Sequence, residues 1–235
     1  MKGNIDISDT LIERPHGFKV AGRQFYIYPP TIGKHLLYQG LMQAMEVDMR
    51  VLMVTPSLEA LRLAQGRREM CCRLVAYGTM RDKEEAFDES LLQSTSAYLS
   101  ENLDEKELAT LTLLVLTSDK TESIMRDLGI VKENERQAKI ARCQDSKHHV
   151  SVGGLTIYGT LIDAACERYG WSYDYVVWGI TQTNLRLMLA DKISSMYLSD
   201  EELKKARRYL ADGSQKVNAE GKKARETIKR YFTDG

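Results

Sequence analysis

The stretch GFKVAGRQFYIYPPT, at residues 17–31, decides how the fold begins. Phe18 and Val20 alternate with smaller or polar neighbours, which is the period of a strand with one buried face. The dipeptide Gly22-Arg23 is expected at the turn, and the aromatic run after it predicts a second strand that two prolines end. We therefore predict a hairpin over residues 17–28. Because a lone hairpin is marginally stable in water, it should lie against helices or join the sheet of another chain.

Nearly all of the chain after this hairpin has helical spacing and helix-end signals. Thr31 and Thr55-Pro56 are typical helix starts, Gly129 and Gly170 are typical helix ends, and Ser199 begins a capping-box pattern. The fold class is therefore mainly α: a multi-helix protein with one short N-terminal β-hairpin and a small C-terminal helical subdomain. The predicted helices span about 31–49, 55–75, 82–99, 104–116, 119–128, 132–143, 155–169, a short segment after 172, 182–198, 199–211 and 214–232.

A polar segment, QDSKHHVSVGG at 144–154, has the composition of a linker. It predicts a division into two parts. Residues 1–145 would hold the hairpin and a helical domain, and residues 146–235 an aromatic-rich helical subdomain that ends in a basic helix.

Composition excludes several classes of protein. The chain has 33 basic and 33 acidic residues, which argues against a protein that mainly coats nucleic acid. Its most apolar stretch, LATLTLLVLT at 108–117, is about half as long as a membrane span requires and is expected to be a buried helix. The N-terminus does not resemble a signal peptide, and the four cysteines have neither disulfide nor zinc spacing. We therefore expect a soluble cytoplasmic protein with reduced thiols and no membrane partner.

No pattern in the sequence predicts catalysis. The pair His148-His149 has no suitably spaced carboxylate or cysteine to complete a zinc site, and phosphate-cradling and nucleophile-elbow patterns are absent from the sequence. We expect no catalytic residue, no metal and no cofactor, and hence a protein that is not an enzyme.

The charge is divided along the chain. Residues 81–136 carry 7 basic and 14 acidic residues, whereas residues 201–235 carry 10 basic and 6 acidic ones. The basic tail could contact phosphates, but interleaved glutamates favour a solvated helical face or an acidic partner.

Aromatic residues are concentrated at 169–180, YGWSYDYVVWGI, which contains both tryptophans of the chain. This segment could be a small aromatic core or a surface that docks another chain, and the two roles can coexist. Trp171, Tyr175 and Trp178 are spaced to lie along one helical face that the next helix would extend. The candidate partner-binding residues are Tyr169, Trp171, Tyr175, Trp178, Leu185, Met188 and Leu189.

The opening FKVAGRQFYIYPPT and the later YGWSYDYVVWGITQTNLRLMLAD, at 169–191, together resemble tail assembly chaperones of long-tailed phages and prophages. In that family, a short hairpin leads into helices, and an aromatic turn leads into a leucine-rich helix. The resemblance covers about 15–30 and 155–200. The acidic middle and the basic tail have no clear counterpart in the family.

The resemblance implies a role in the cytoplasm of a bacterial host. Such chaperones bind the apolar tape measure protein, keep it soluble and recruit tail tube subunits; the family has no catalytic residues. Two alternatives stay open: a structural or connector subunit that remains in the virion, and a helical nucleic-acid-binding regulator that uses the basic tail. Pairing of the hairpin between copies would add self-association.

Overall fold

The computed structural model of the chain describes residues 2–144, 156–191 and 198–211, and within them the fold is mainly α, as predicted. The only sheet in these ranges is an antiparallel hairpin of β1 (His16–Val20) and β2 (Arg23–Ile27). The helices in the first half are α1 (Lys2–Leu11), α2 (Ile32–Ala44), α3 (Met49–Val54), α4 (Pro56–Gly66), α5 (Arg68–Thr79), α6 (Lys83–Phe87) and α7 (Glu89–Asn102). Those that follow are α8 (Glu105–Leu116), α9 (Thr121–Asp127), α10 (Ile130–Ala141), α11 (Ile157–Tyr169), a π-helix (Tyr175–Gly179), α12 (Gln182–Ala190) and α13 (Asp200–Ala211).

The hairpin is confirmed, but its turn lies one residue earlier than predicted. The turn residues are Ala21 and Gly22, with φ of 45° and 84°, so that Val20 pairs with Arg23. Positive φ at both central residues is required by the type I′ turn, whose twist matches that of the paired strands. Glycine satisfies it at the second position, and alanine adopts it at the first.

The hairpin lies against helices, which is one of the two arrangements that the sequence predicts. Phe25 and Ile27 are buried in the larger of two clusters of apolar side chains, the main cluster. The Tyr98 hydroxyl of α7 donates a hydrogen bond to the Val20 carbonyl (3.1 Å), and the Tyr28 amide donates to the Gly78 carbonyl at the end of α5 (3.0 Å). These contacts offset the marginal stability of an isolated hairpin.

Two predicted long helices are each divided in two. The predicted helix at 55–75 breaks at Arg67, where φ is −138°, and the one at 82–99 breaks at Asp88. Asp88 ends α6 and also caps α7, since its carboxylate accepts the Leu91 amide (2.9 Å). A side chain that caps the backbone locally competes with helix continuation, which the apolar spacing alone does not reveal.

Most predicted helix ends are confirmed. The Thr31 hydroxyl accepts the Lys34 amide (3.3 Å), Gly129 and Gly170 are left-handed, and Ser199 forms its capping box with Glu202. Thr55-Pro56 also begins a helix as predicted, with Thr55 at the N-cap and Pro56 first in α4, but the Thr55 side chain makes no capping hydrogen bond. Its hydroxyl donates to the Val51 carbonyl instead, because the unpredicted helix α3 immediately precedes it.

The described elements form two compact units. One comprises α1 to α9 with the hairpin, together with α11, the π-helix and α12; the other comprises α10 and α13. The predicted linker at 144–154 lies almost entirely outside the described residues, as do His148-His149 and the predicted basic helix at 214–232. The division into residues 1–145 and 146–235 stays a prediction, although α11 and α12 belong to the same compact unit as the N-terminal helices.

The larger unit has two clusters of buried apolar side chains. The main cluster joins the hairpin to α2, α4, α5, α7 and α8, and the smaller cluster joins Ile32 at the start of α2 to α11, the π-helix and α12. None of the helices in the described ranges has the length and apolar character to cross a membrane. Residues 108–116 of the apolar stretch are part of α8, whose Leu108, Leu111 and Val115 are buried.

Candidate partner-binding surfaces

Three of the predicted aromatic residues form a contiguous stack beside the smaller cluster. The ring centroids of Tyr169 and Trp171 are 4.6 Å apart, and those of Trp171 and Tyr175 are 5.1 Å apart with a nearly perpendicular arrangement. Left-handed Gly170 ends α11 and turns the chain between the first two rings. Both Tyr169 and Trp171 are half-buried against the smaller cluster.

Trp178 faces a different part of the fold. Its indole lies over Gly33 of α2 and makes an edge contact with Phe87, with ring centroids 5.4 Å apart. It packs against the main cluster, whereas Trp171 packs against the smaller one. The prediction that Trp171, Tyr175 and Trp178 lie along one α-helical face is therefore wrong. Trp171 precedes the helical segment, and Tyr175–Gly179 is π-helical.

The predicted aliphatic residues divide in the same way. Leu185 is fully buried in the smaller cluster, so it stabilises the fold and is not accessible to a partner. Leu189 is half-buried against the same cluster. Met188 is 38% exposed, and its carbonyl accepts the Tyr169 hydroxyl (3.0 Å). Among the seven predicted residues, Tyr175 and Met188 are the ones that present exposed surface.

A more exposed apolar surface, which the sequence patterns did not predict, lies on α3 and the start of α4. Met49 is 51% exposed, Met53 82%, Val54 80% and Leu58 60%. These four residues are named the methionine surface. The only signal for it was the run MRVLMV at 49–54, which is apolar on all sides except for one arginine, and whose Leu52 alone is buried. In soluble proteins of many kinds, contiguous exposed apolar patches mark interaction sites.

Polar groups fix the helical hairpin that carries the methionine surface. The Asp48 carboxylate accepts the amides of Arg50 and Val51 (2.9 and 3.2 Å) and so caps α3. Glu59 of α4 is fully buried, and its carboxylate accepts the Asp48 amide (2.7 Å) and the Arg62 guanidinium (2.6 Å). The hydrogen bond from Arg62 lowers the pKa of Glu59, so that it is charged at neutral pH. The surface is held in place by this arrangement.

A groove runs beside the methionine surface, between α2 and the turn that precedes α3. It has a volume of about 710 Å³ and a mixed lining, in which the apolar Leu36, Met42, Val47 and Met49 alternate with the polar Gln39, Gln43 and Glu46. Leu36 is 45% exposed. Met49 belongs to both the groove and the methionine surface, so the two are continuous.

The described residues offer little for catalysis. No group of three or more histidine, cysteine or acidic side chains in these ranges is placed to hold a metal. Burial raises the pKa of Cys71 to about 11, so little of the thiolate exists at neutral pH.

Comparison with known proteins gives no match to this chain, whether with protein families, curated proteins or solved structures.

Proposed function

We propose that this chain is a phage or prophage tail assembly chaperone, which binds apolar helical segments of a tape measure protein in the cytoplasm of the bacterial host. The resemblance at residues 15–30 and 155–200 motivates the family. In this role the chain keeps its partner soluble and helps to recruit tail tube subunits.

The observation that carries the proposal is the methionine surface. Met53 and Val54, at 82% and 80%, are the most exposed large apolar residues of the described ranges. Methionine is unbranched and polarisable, so a surface built on it can adapt to many apolar sequences. A tape measure protein presents a succession of different apolar segments. A chaperone that binds along its length therefore needs a surface that accepts many sequences more than it needs a pocket shaped for one.

The groove beside α3 supplies a second contact. An amphipathic helix can lay its apolar side along Leu36 and Met49 while the methionine surface covers the next turn. Glu46 lines the groove and Arg50 lies on α3, so both can form ion pairs or hydrogen bonds with the polar side of the bound helix. Tyr175 and Met188 are also exposed and are available to the same partner or to a tail tube subunit.

Co-expression with a tape measure protein encoded beside this chain tests the proposal. The wild-type chain should increase the soluble fraction of the tape measure protein and co-purify with it. Met53→Gln and Val54→Gln together should weaken binding at least about 30-fold, as expected for the loss of roughly 2 kcal/mol at the centre of an interface.

Ile157→Gln is the matched control, because Ile157 is similarly exposed (78%) but lies at the start of α11. It should leave binding unchanged. Two outcomes contradict the proposal: a gene neighbourhood that encodes no tape measure protein, or a tape measure protein that stays insoluble with the wild-type chain. Recovery of the chain in purified particles would favour a structural subunit instead.

A further inference from the structure

The outer edge of β1 carries main-chain groups that no described residue satisfies. The two-residue turn makes Val20 and Arg23 a hydrogen-bonded pair, and such pairs alternate along an antiparallel ladder. Gly17 and Lys19 therefore direct their N–H and C=O groups away from β2. Both residues are exposed, and no hydrogen bond to their main chain occurs within the described ranges. No described residue therefore pairs with this edge, and its groups are suited to accept another strand.

We infer that β1 pairs with β1 of a second copy of this chain, antiparallel, about a two-fold axis through Phe18. In this register Gly17 lies opposite Lys19 of the second copy, and Lys19 lies opposite Gly17 of the second copy. Each of these pairs exchanges two main-chain hydrogen bonds, so the interface forms four. The two hairpins become one four-stranded sheet, which is the size at which such sheets are independently stable.

The face of the hairpin that points to the core favours this register. Phe18 is half-buried and stacks on Phe25, with ring centroids 5.5 Å apart. In the paired sheet Phe18 faces Phe18 of the second copy at a non-hydrogen-bonded position, where side chains approach most closely. The stacked pair of each copy then extends into a row of four rings across the sheet.

The exposed face is also complementary to itself. The Gln24 amide and the Tyr26 ring both lie beside Gly17, since a Cβ added at Gly17 would be 3.1 Å from Gln24 Nε2 and 3.4 Å from the ring. Lys19 of the second copy stands opposite Gly17, which places its ammonium beside this ring, an arrangement that favours a cation–π contact. The two lysines do not face each other. An edge lysine normally discourages pairing, but in this register it meets a residue without a side chain. An unrelated strand would not supply this match, so the occupant is a second copy.

The mass of the purified chain in solution tests the inference, with no other protein present. Light scattering after gel filtration should give twice the chain mass of 26.7 kDa, falling to one chain on dilution. Lys19→Pro removes an outward N–H and leaves the bonds within the hairpin intact, so it should give a single-chain mass. Gln24→Pro is the control, because it removes an outward N–H from β2 instead, and should remain a dimer.

A cross-link gives an independent measurement that does not rely on proline. On a background with Cys143 and Cys166 replaced by serine, Phe18→Cys should form a disulfide-linked dimer when oxidised glutathione accepts the electrons. Tyr26→Cys should not, because the two Tyr26 positions lie on the outer strands of the paired sheet. A wild-type chain that is a single copy at all concentrations overturns the inference. So does a dimer that survives Lys19→Pro, or one that Tyr26→Cys links as readily as Phe18→Cys. None of these results bears on the binding of a tape measure protein.

Discussion

Gly33 shows how one missing side chain positions the aromatic segment. A Cβ at this position would lie 2.6 Å from the indole of Trp178, which is closer than van der Waals contact allows. Gly40 is in the same helix, α2, and has no atom within 4 Å of the corresponding point. Comparing substitutions at the two glycines therefore distinguishes the effect of the Trp178 contact from the general effect of glycine on helix stability.

Gly33→Ala should lower the free energy of unfolding by about 1–3 kcal/mol, because the indole has to move out of a packed position. Gly40→Ala should raise it by about 0.5–1 kcal/mol, since alanine is the better helix former and meets no neighbour. Urea unfolding of the two variants checks both signs. Equal effects at the two positions would mean that the contact between Gly33 and Trp178 does not constrain the fold.

The next residue, Lys34, is a buried cation surrounded by carbonyl groups. Its ammonium donates to the carbonyls of Tyr28 (3.4 Å), Gly78 (3.1 Å) and Met80 (2.8 Å), which joins the ends of β2 and α5 to α2. Burial lowers the pKa of Lys34 to about 7, and the charge of Glu85 opposes this effect only in part. The folded state therefore loses this proton far more readily than the unfolded chain does.

Stability should rise with pH because of this lysine. Below about pH 7 both states carry the proton; between pH 7 and the ordinary lysine pKa of 10.5, only the unfolded state retains it. The difference in unfolding free energy between wild type and Lys34→Met should therefore shift in favour of wild type from pH 7 to 10. Urea titrations across this range measure it. A constant difference would show that the three carbonyls keep the ammonium charged.

Among the helices and strands, features that depend on local signals were predicted well from the sequence. Features that depend on tertiary contacts were not. The hairpin and most helix ends follow from short patterns, because alternation, capping side chains and left-handed glycines act within a few residues. The break at Arg67 and the π-helix were not predictable in this way, whereas the break at Asp88 has a local cap that the apolar spacing conceals. Trp178 needs a close approach to Gly33 of another helix, and no local pattern encodes it.

The same limit applies to the candidate surfaces. The composition of residues 169–180 identified an aromatic cluster, but spacing could not tell which rings face the core. Leu185 is buried because Ile32, far away in sequence, packs in the same cluster. Conversely, Met53 and Val54 are exposed because α3 is only 6 residues long and uses Leu52 alone to pack. Burial of short apolar helices depends on partners that sequence periodicity does not name.

The turn of the hairpin offers a prediction at the same scale. Ala21 has a φ of 45°, which is unfavourable for alanine but common for asparagine. Ala21→Asn creates the Asn-Gly pair preferred in such turns and should stabilise the protein by roughly 1 kcal/mol. Gly22→Ala should destabilise it, because a second non-glycine residue would then be held at positive φ. Thermal unfolding of both variants provides the check; a lower melting temperature for Ala21→Asn would contradict the turn assignment.

At the scale of the whole molecule, the larger unit is closed by residues distant in sequence. The Glu13 carboxylate accepts the Thr181 hydroxyl and the Asn184 amide (both 2.9 Å), and the Gln182 amide donates to the Pro30 carbonyl (2.9 Å). Thr31 and Thr181 form a short antiparallel bridge. Together with the cluster around Ile32, these bonds tie residues 156–191 to the start of α2. The N-terminal part is therefore incomplete without them.

Two truncations test this closure against a domain boundary at residue 145. A chain ending at residue 193 retains all of the larger unit and should melt near the temperature of the full chain. A chain ending at residue 145 leaves Ile32 and the face of α2 under Trp178 uncovered. Fully burying one such side chain is worth about 1.5–3 kcal/mol, and several are lost, so the melting temperature should fall by roughly 10 °C or more. Circular dichroism melts measure both. If the shorter chain melts with the full chain, residues 1–145 fold independently and the closure adds little; if both truncations melt early, the loss comes from residues beyond 193.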